Sequence, residues 1–188
     1  MDTPVLIAIV VVVALVAALL GWGMGRRRRS SGLKDRFGPE YDRVVEESRD
    51  RGSAETELEA RAERRAQLDI RPLDPDAQRR YQESWRVVQQ RFVDEPGEAV
   101  QDADRLVMRV MRERGYPMDD FEQRSADISV DHPVVVENYR TAHAIAMDQE
   151  QGRASTEDLR QALVSYRALF EELLESDEGR PGIREATR

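Results

Sequence analysis

The stretch STEDLRQALVSYRALFEELL, residues 155–174, carries the clearest structural signal in the sequence. Its large apolar residues recur every three or four positions, which is the period of one face of an α-helix. Ser155 and Asp158 stand three residues apart at its start, in the spacing of a capping box, although Asp is shorter than the usual Glu. We therefore predict an amphipathic helix whose apolar stripe faces a core. The stripe consists of Leu159, Ala162, Leu163, Tyr166, Leu169, Phe170, Leu173 and Leu174.

Three further helical patterns precede this one. The first opens at Asp74 and Pro75, a good cap and first helical position. The second is closed by Gly115, a residue that commonly ends helices. The third is expected to begin near Asp131, with Pro133 in its first turn. Their apolar faces are Tyr81, Trp85, Val88 and Phe92; Ala99, Val100, Ala103, Leu106, Val107, Val110 and Met111; and Val135, Val136, Tyr139, Ala142, His143, Ala146 and Met147.

These patterns predict an all-α bundle of about four helices over residues 74–176, because about 100 residues suffice for one small core. Short connections between the helices favour antiparallel neighbours. A shorter piece around residues 119–124 presents Phe121, while Ile128 and Val130 are expected to pack where the chain turns.

An unbroken run of twenty uncharged residues, 5–24, is followed closely by four arginines: Arg26, Arg27, Arg28 and Arg29. A helix of about twenty residues spans about 30 Å, the thickness of a bilayer's hydrocarbon core. Because Lys and Arg beside a span stay on the cytoplasmic side, the arginines predict a stop-transfer signal that meets lipid headgroups. Residues 1–29 are therefore predicted to be a transmembrane anchor in the cell membrane, with the amino terminus outside and the C-terminal domain cytoplasmic.

A cleaved secretory signal is the competing interpretation of this segment. Such a signal has a basic start, an apolar core of about 7 to 15 residues and a small-residue cleavage site. Here the basic cluster follows the apolar run, and that run continues through Leu19, Leu20, Trp22 and Met24. The sequence therefore favours an anchor that stays attached.

Residues 30–73 are predicted to be a charged juxtamembrane helical stalk. The second half of this segment is almost all Glu, Arg and Ala, with Leu58 and Leu68 as its large apolar residues before Ile70. Two such residues cannot form the heptad seam of a coiled coil, so we expect a solvated helix. Residues 177–188 are predicted to be a disordered tail.

Charge and composition disfavour several classes of function. The chain carries a net charge of −8, although residues 1–32 contribute +3, so the remainder is strongly acidic. Acidic surface repels phosphate, which disfavours nucleic acid as a partner. The chain has no cysteine, and this excludes disulfides, thiolate catalysis and cysteine-bound metals.

The densest group of chemically capable side chains lies in the segment 131–143. It comprises Asp131, His132, Glu137, Tyr139 and His143. On one helix the two histidines would stand about 16 Å apart, too far to bind one metal ion. No Ser, Cys or Lys nucleophile accompanies them in a recognisable frame, and no glycine-rich phosphate loop is present.

We therefore predict structural roles for this group: His143 against the core, and Asp131 with His132 at the start of a helix. No metal, no cofactor and no enzymatic activity are expected. The alternative is a ligand-binding or enzymatic bundle that uses the segment from Asp131 to His143.

Six segments are relevant to the family of the chain: GLKDRFGPEYDRVVEE, LDIRPLDP, FVDEPGEAV, MRERGYP, DHPVVVENYRTAH and STEDLRQALVSYRALFEELL. Taken together, they resemble an uncharacterised family of actinobacterial single-pass membrane proteins, often labelled secreted proteins. The resemblance covers nearly the whole chain after the anchor, and it implies neither an activity nor a cofactor nor catalytic residues. The architecture is similar to membrane-anchored helical adaptors of bacterial cell-envelope machinery. We therefore expect an interaction module whose partners are the lipid bilayer and one or more unknown proteins.

Overall fold

The computed structural model describes residues 29–175, and within that range it contains helices and no strand. The predicted all-α class is confirmed. The helices are α1 (residues 29–37), α2 (Pro39–Glu47), α3 (Arg51–Ala66), α4 (Pro75–Arg91), α5 (Pro96–Arg114), α6 (Phe121–Asp131), α7 (Val136–Glu150) and α8 (Thr156–Leu174).

The chain forms two compact units, and the boundary between them falls between Glu59 and Ala60, within α3. The bundle start predicted at residue 74 coincides with the beginning of α4, but the second unit starts earlier. Leu73 belongs to the apolar core of that unit, and Ile70 packs against the core. The segment between α3 and α4 therefore belongs to the second unit.

The second unit is a helical bundle built around α5 and α8. These two helices pack against each other; α5 also contacts α4 and α7, and α8 also contacts α7. Leu106, Tyr166 and Leu169 are fully buried, whereas Leu163 of the predicted α8 stripe is partly buried. Burial of this apolar surface is the main favourable contribution to the bundle's stability.

Local signals at three helix ends are confirmed. Asp74 caps α4, where its carboxylate accepts a hydrogen bond from the Ala77 amide at 2.8 Å. Ser155 and Asp158 form both halves of a capping box at α8. Gly115 ends α5 in the left-handed conformation, with φ +98°.

The expectation that a helix begins near Asp131 is wrong. Asp131 is the last residue of α6, and α7 starts at Val136. Pro133 accounts for this difference, because it disfavours helical geometry at His132, whose φ and ψ are −129° and 54°. The two histidines therefore do not share one helix, and the separation calculated for a single helix does not apply.

The expectation of a fully solvated helix in the second half of the stalk is also wrong. Ala54 and Leu58 of α3 are completely buried, and Arg61 is 7% exposed. These residues lie four and three positions apart and so share one helical face. Ala54 and Leu58 form a buried face with a single large apolar side chain, which a search for large apolar residues overlooks.

No helix within residues 29–175 is long and apolar enough to cross a membrane. The predicted span 5–24 lies outside the described residues, and so do three of the four predicted stop-transfer arginines: Arg26, Arg27 and Arg28. The predicted tail 177–188 lies outside them as well.

Candidate functional site

The structure divides the predicted group of residues 131–143 among three environments. Asp131 and His132 lie at the end of α6, in a buried polar cluster. Tyr139 and His143 lie on α7, in an aromatic cluster. Glu137, in the first turn of α7, is exposed and lies 3.4 Å from Arg140.

His132 is a buried ionisable group in the turn that follows α6. It is 4% exposed, and its Nδ1 lies 2.9 Å from Oε1 of Glu172 on α8. Its Nε2 is buried and has no hydrogen-bond partner among the described residues. The pair resembles the carboxylate-oriented imidazole of a general base, but the buried Nε2 is not accessible to a substrate in this structure.

Burial lowers the pKa of His132, because a charged imidazolium is poorly solvated there. The hydrogen bond to Glu172 opposes this effect, and the nearby Arg114 guanidinium adds to it. A neutral ring that donates from Nδ1 to the Glu172 carboxylate satisfies these constraints. The interaction therefore fixes one tautomer of His132 and holds α6 against α8.

Asp131, beside His132, joins two other segments of the chain to the end of α6. Its Oδ2 accepts hydrogen bonds from the Tyr116 hydroxyl at 3.1 Å and from Nε of Arg65 on α3. Burial and the Asp131 carboxylate together raise the pKa of Tyr116, so its hydroxyl remains a donor. We call Arg65, Tyr116, Asp131, His132 and Glu172 the α6 corner cluster.

Two more arginines of α3 reach the same helix. Nε of Arg64 lies 3.2 Å from Asp127, and Nη1 of Arg61 lies 3.5 Å from the Ser129 hydroxyl. Burial raises the pKa of Asp127, although the contacts with Gln123 and Arg64 oppose that rise. Sequence reasoning missed this row of arginines, since in a chain rich in Arg and Glu no single pair stands out.

Arg114 is a buried arginine with two carbonyl partners. Its Nη1 donates to the Leu173 carbonyl at 2.9 Å, and its Nε lies 3.3 Å from the Arg71 carbonyl. The side chain, which is 2% exposed, thereby joins the end of α8 to the segment before α4. The role of Arg114 is structural. The one sequence signal for this role is the position of Arg114 in the last turn of α5.

The aromatic cluster lies where α6 begins and α7 passes it. The rings of His143 and Phe121 stack with centroids 3.8 Å apart, and Tyr139 lies 5.0 Å from Phe121. Nε of Arg124 donates to the Tyr139 hydroxyl at 3.2 Å. Burial lowers the pKa of His143, which is half-buried. The prediction that His143 packs against the core agrees with this placement.

No group of three or more Asp, Glu or His side chains within residues 29–175 is arranged to hold a metal ion.

The predicted stop-transfer cluster is described at one of its four positions. The guanidinium of Arg29 pairs with Glu59 in the first unit. Arg26, Arg27 and Arg28 lie outside the described residues, so their predicted contact with lipid headgroups stays a prediction.

A surface groove of about 560 Å³ lies between α4 and α8. Trp85 and Phe170 stack at its base with ring centroids 4.7 Å apart. Trp85, a residue of the predicted apolar face of α4, belongs to the core and also lines this groove. Its indole nitrogen is buried without a hydrogen-bond partner among the described residues. The lining residues are Gln82, Trp85, Arg86, Gln89, Phe170, Glu171, Leu174 and Glu175.

Comparisons with protein families, curated proteins and solved structures find no match for the chain. The resemblance to actinobacterial membrane proteins therefore stays a prediction.

Proposed function

We propose that the protein is a single-pass membrane protein that presents a cytoplasmic helical bundle as an interaction module. The observation that carries this proposal is the uncharged run 5–24 closed by four arginines, attached to a helical unit with an apolar core. Confinement to a surface raises the effective concentration of the bundle toward other membrane-bound proteins. A weak helical contact then suffices for function.

The use of polar side chains in the bundle supports an interaction role over catalysis. His132, Asp131 and Tyr139 each contact a side chain from another helix, and these contacts hold the helices together. The groove between α4 and α8 is lined by other residues. We infer that the segment 131–143 acts in folding and that the protein is not an enzyme.

Topology is tested with reporters fused after Arg188. A reporter that works only in the cytoplasm should be active, and one that requires export should be inactive, because the arginines keep the following chain inside. Replacing the four arginines at 26–29 by Ser and adding lysines before Val5 should weaken or invert this orientation. A mature secreted protein that starts near residue 20 would contradict the proposal.

Partner capture by crosslinking in cells tests the interaction role. Three chains are compared: the full chain, a chain without residues 1–29, and a chain in which residues 5–24 are replaced by an unrelated span of the same orientation. Capture of specific proteins should be weaker without residues 1–29. It should be restored by the unrelated span, because the role proposed for the anchor is only to hold the bundle at the membrane. Failure of the third chain to capture would show that the span itself binds the partner.

A further inference from the structure

His132 occupies the turn that connects α6 to α7. Its backbone N–H donates to the Ile128 carbonyl at 2.8 Å and so closes α6. Its own carbonyl accepts from the amides of Val135 and Val136, each at 3.2 Å, and so begins the turn into α7. Since the same residue bonds to Glu172 through its ring, a movement of the ring disturbs the contact of both helices with α8.

The ring has one satisfied nitrogen and one unsatisfied nitrogen. With Nδ1–H donating to Glu172, Nε2 of the neutral ring is an acceptor without a partner among the described residues. Protonation converts Nε2 into a buried N–H donor and adds a positive charge. A buried donor without an acceptor is costly, and the cost disappears if the ring reaches water.

Charged groups face His132 from three neighbouring helices. Glu172 on α8 and Asp131 on α6 favour the imidazolium, whereas Arg114 on α5 disfavours it. The Asp131 carboxylate is also engaged by Arg65 and by the Tyr116 hydroxyl, which spreads its negative charge over other donors. Burial exceeds these effects, so the pKa of His132 lies below its usual value of 6.5.

We propose that His132 is a proton-operated latch: when its ring takes up one proton from solvent, the corner between α6 and α7 opens and α6 separates from α8 and from Arg65 of α3. The bundle thereby acquires a closed form at neutral pH and an opened form in acid. The opened form exposes the polar face of α6 that the α3 arginines cover in the closed form.

The composition of α6 suits a helix that can be released. Beyond His132, it holds two further buried polar atoms without a partner among the described residues, the Ser125 hydroxyl and Oδ2 of Asp127. Its contacts with α3 run through long arginine side chains to Asp127, Ser129 and Asp131. A buried polar group without a partner costs free energy in the closed form, and this cost lowers the free energy needed to open α6.

Amide hydrogen exchange of the full chain in detergent micelles tests the latch. From about pH 7.5 to about pH 5.5, a window that brackets the usual pKa of histidine, most carboxylates stay ionised. After correction for intrinsic rates, protection across residues 121–136 and 61–66 should fall as the pH falls. Protection should fall by up to about tenfold per pH unit between the pKa of His132 in the opened form and its lower pKa in the closed form. Amides in the middle of α5 and α8 should keep their protection.

Two variants make the test specific, because the chain has only two histidines. In His132→Gln the pH dependence should vanish, while in the matched control His143→Gln it should remain. If His132→Gln does not fold, proton NMR of the parent chain decides, with the His132 ring signal identified as the one that survives in His143→Gln. Its titration should coincide with the loss of protection. The latch is refuted if protection does not change over this window. It is also refuted if the pH dependence persists in His132→Gln or is lost in His143→Gln. A His132 titration that does not coincide with the loss of protection refutes it as well.

Discussion

Replacing Leu169 by Ala should destabilise the second unit strongly. Leu169 lies in the middle of α8, is fully buried, and belongs to the core that α8 shares with α5 and α7. The change removes three carbon groups, and at about 0.8 kcal/mol for each buried group the lost transfer free energy is about 2.4 kcal/mol. Incomplete collapse around the cavity increases the cost toward about 5 kcal/mol.

A loss of this size is large against a total stability of about 5 to 15 kcal/mol for an ordinary domain. With a urea dependence of about 2 kcal/mol per molar, a loss of about 3 kcal/mol lowers the unfolding midpoint by about 1.5 M. Fluorescence of Trp85, which stacks on the neighbouring Phe170, reports the transition of this unit. A Trp22→Phe background removes the other tryptophan of the chain.

Val164→Ala is the matched control on the same helix. Val164 is 55% exposed, so this change should alter the free energy of unfolding by at most about 0.5 kcal/mol. If Leu169→Ala leaves the midpoint unchanged, or if the two variants lose equal stability, α8 does not bury Leu169 in a core. The stripe would then be an exposed binding face, and the packing argument would fail.

Two further predictions concern the boundaries of the bundle. Gly115→Ala should lower the free energy of unfolding more than Gly152→Ala. Both glycines have a positive φ. Only at Gly115 would an added Cβ clash with backbone, because it would lie 2.4 Å from the Asp69 carbonyl oxygen. If the two variants lose equal stability in urea unfolding, the backbone at Asp69 moves away from the added Cβ and the argument from this clash fails. A fragment of residues 60–188 should be more stable than one of residues 74–188, because the shorter fragment lacks core residues before α4 and the arginines that contact α6; equal midpoints would contradict this.

Features encoded within a few neighbouring residues could be predicted from the sequence. The caps Asp74 and Ser155 and the terminator Gly115 act through hydrogen bonds or backbone geometry of their own turn. The stripe of α8 could be predicted because its eight apolar residues keep a helical period over more than four turns. Local chemistry determines such features, so tertiary context does not override them.

Two opposing local signals explain the misplaced start at Asp131. An Asp followed closely by Pro is typical of a helix start, but Pro133 equally disfavours helical geometry at the residue before it. The preceding segment supplies Ile128 to the core, and this burial favours continuing α6 up to Asp131. Only the tertiary packing decides between the two signals.

The partners of the α6 corner cluster could not be predicted for a different reason. Glu172 lies 40 residues from His132, on the polar side of a helix whose apolar stripe dominates its pattern. Arg65 lies 66 residues from Asp131 in a segment where acids and bases alternate. A single sequence contains no signal that pairs one such charge with another at this distance.

The roles of the two histidines determine how a loss of function should be interpreted. His132→Ala removes the ring that joins α6 to Glu172, so a defect in this variant follows from a weakened corner as readily as from lost chemistry. His143 is half-buried and stacks on Phe121, and no ion pair or hydrogen bond to its ring holds two helices together in the described structure. A defect of His143→Ala with unchanged urea midpoint would therefore favour a ligand-binding or enzymatic role for the segment. An active His143→Ala variant beside an unstable His132→Ala variant would favour the structural assignment made here.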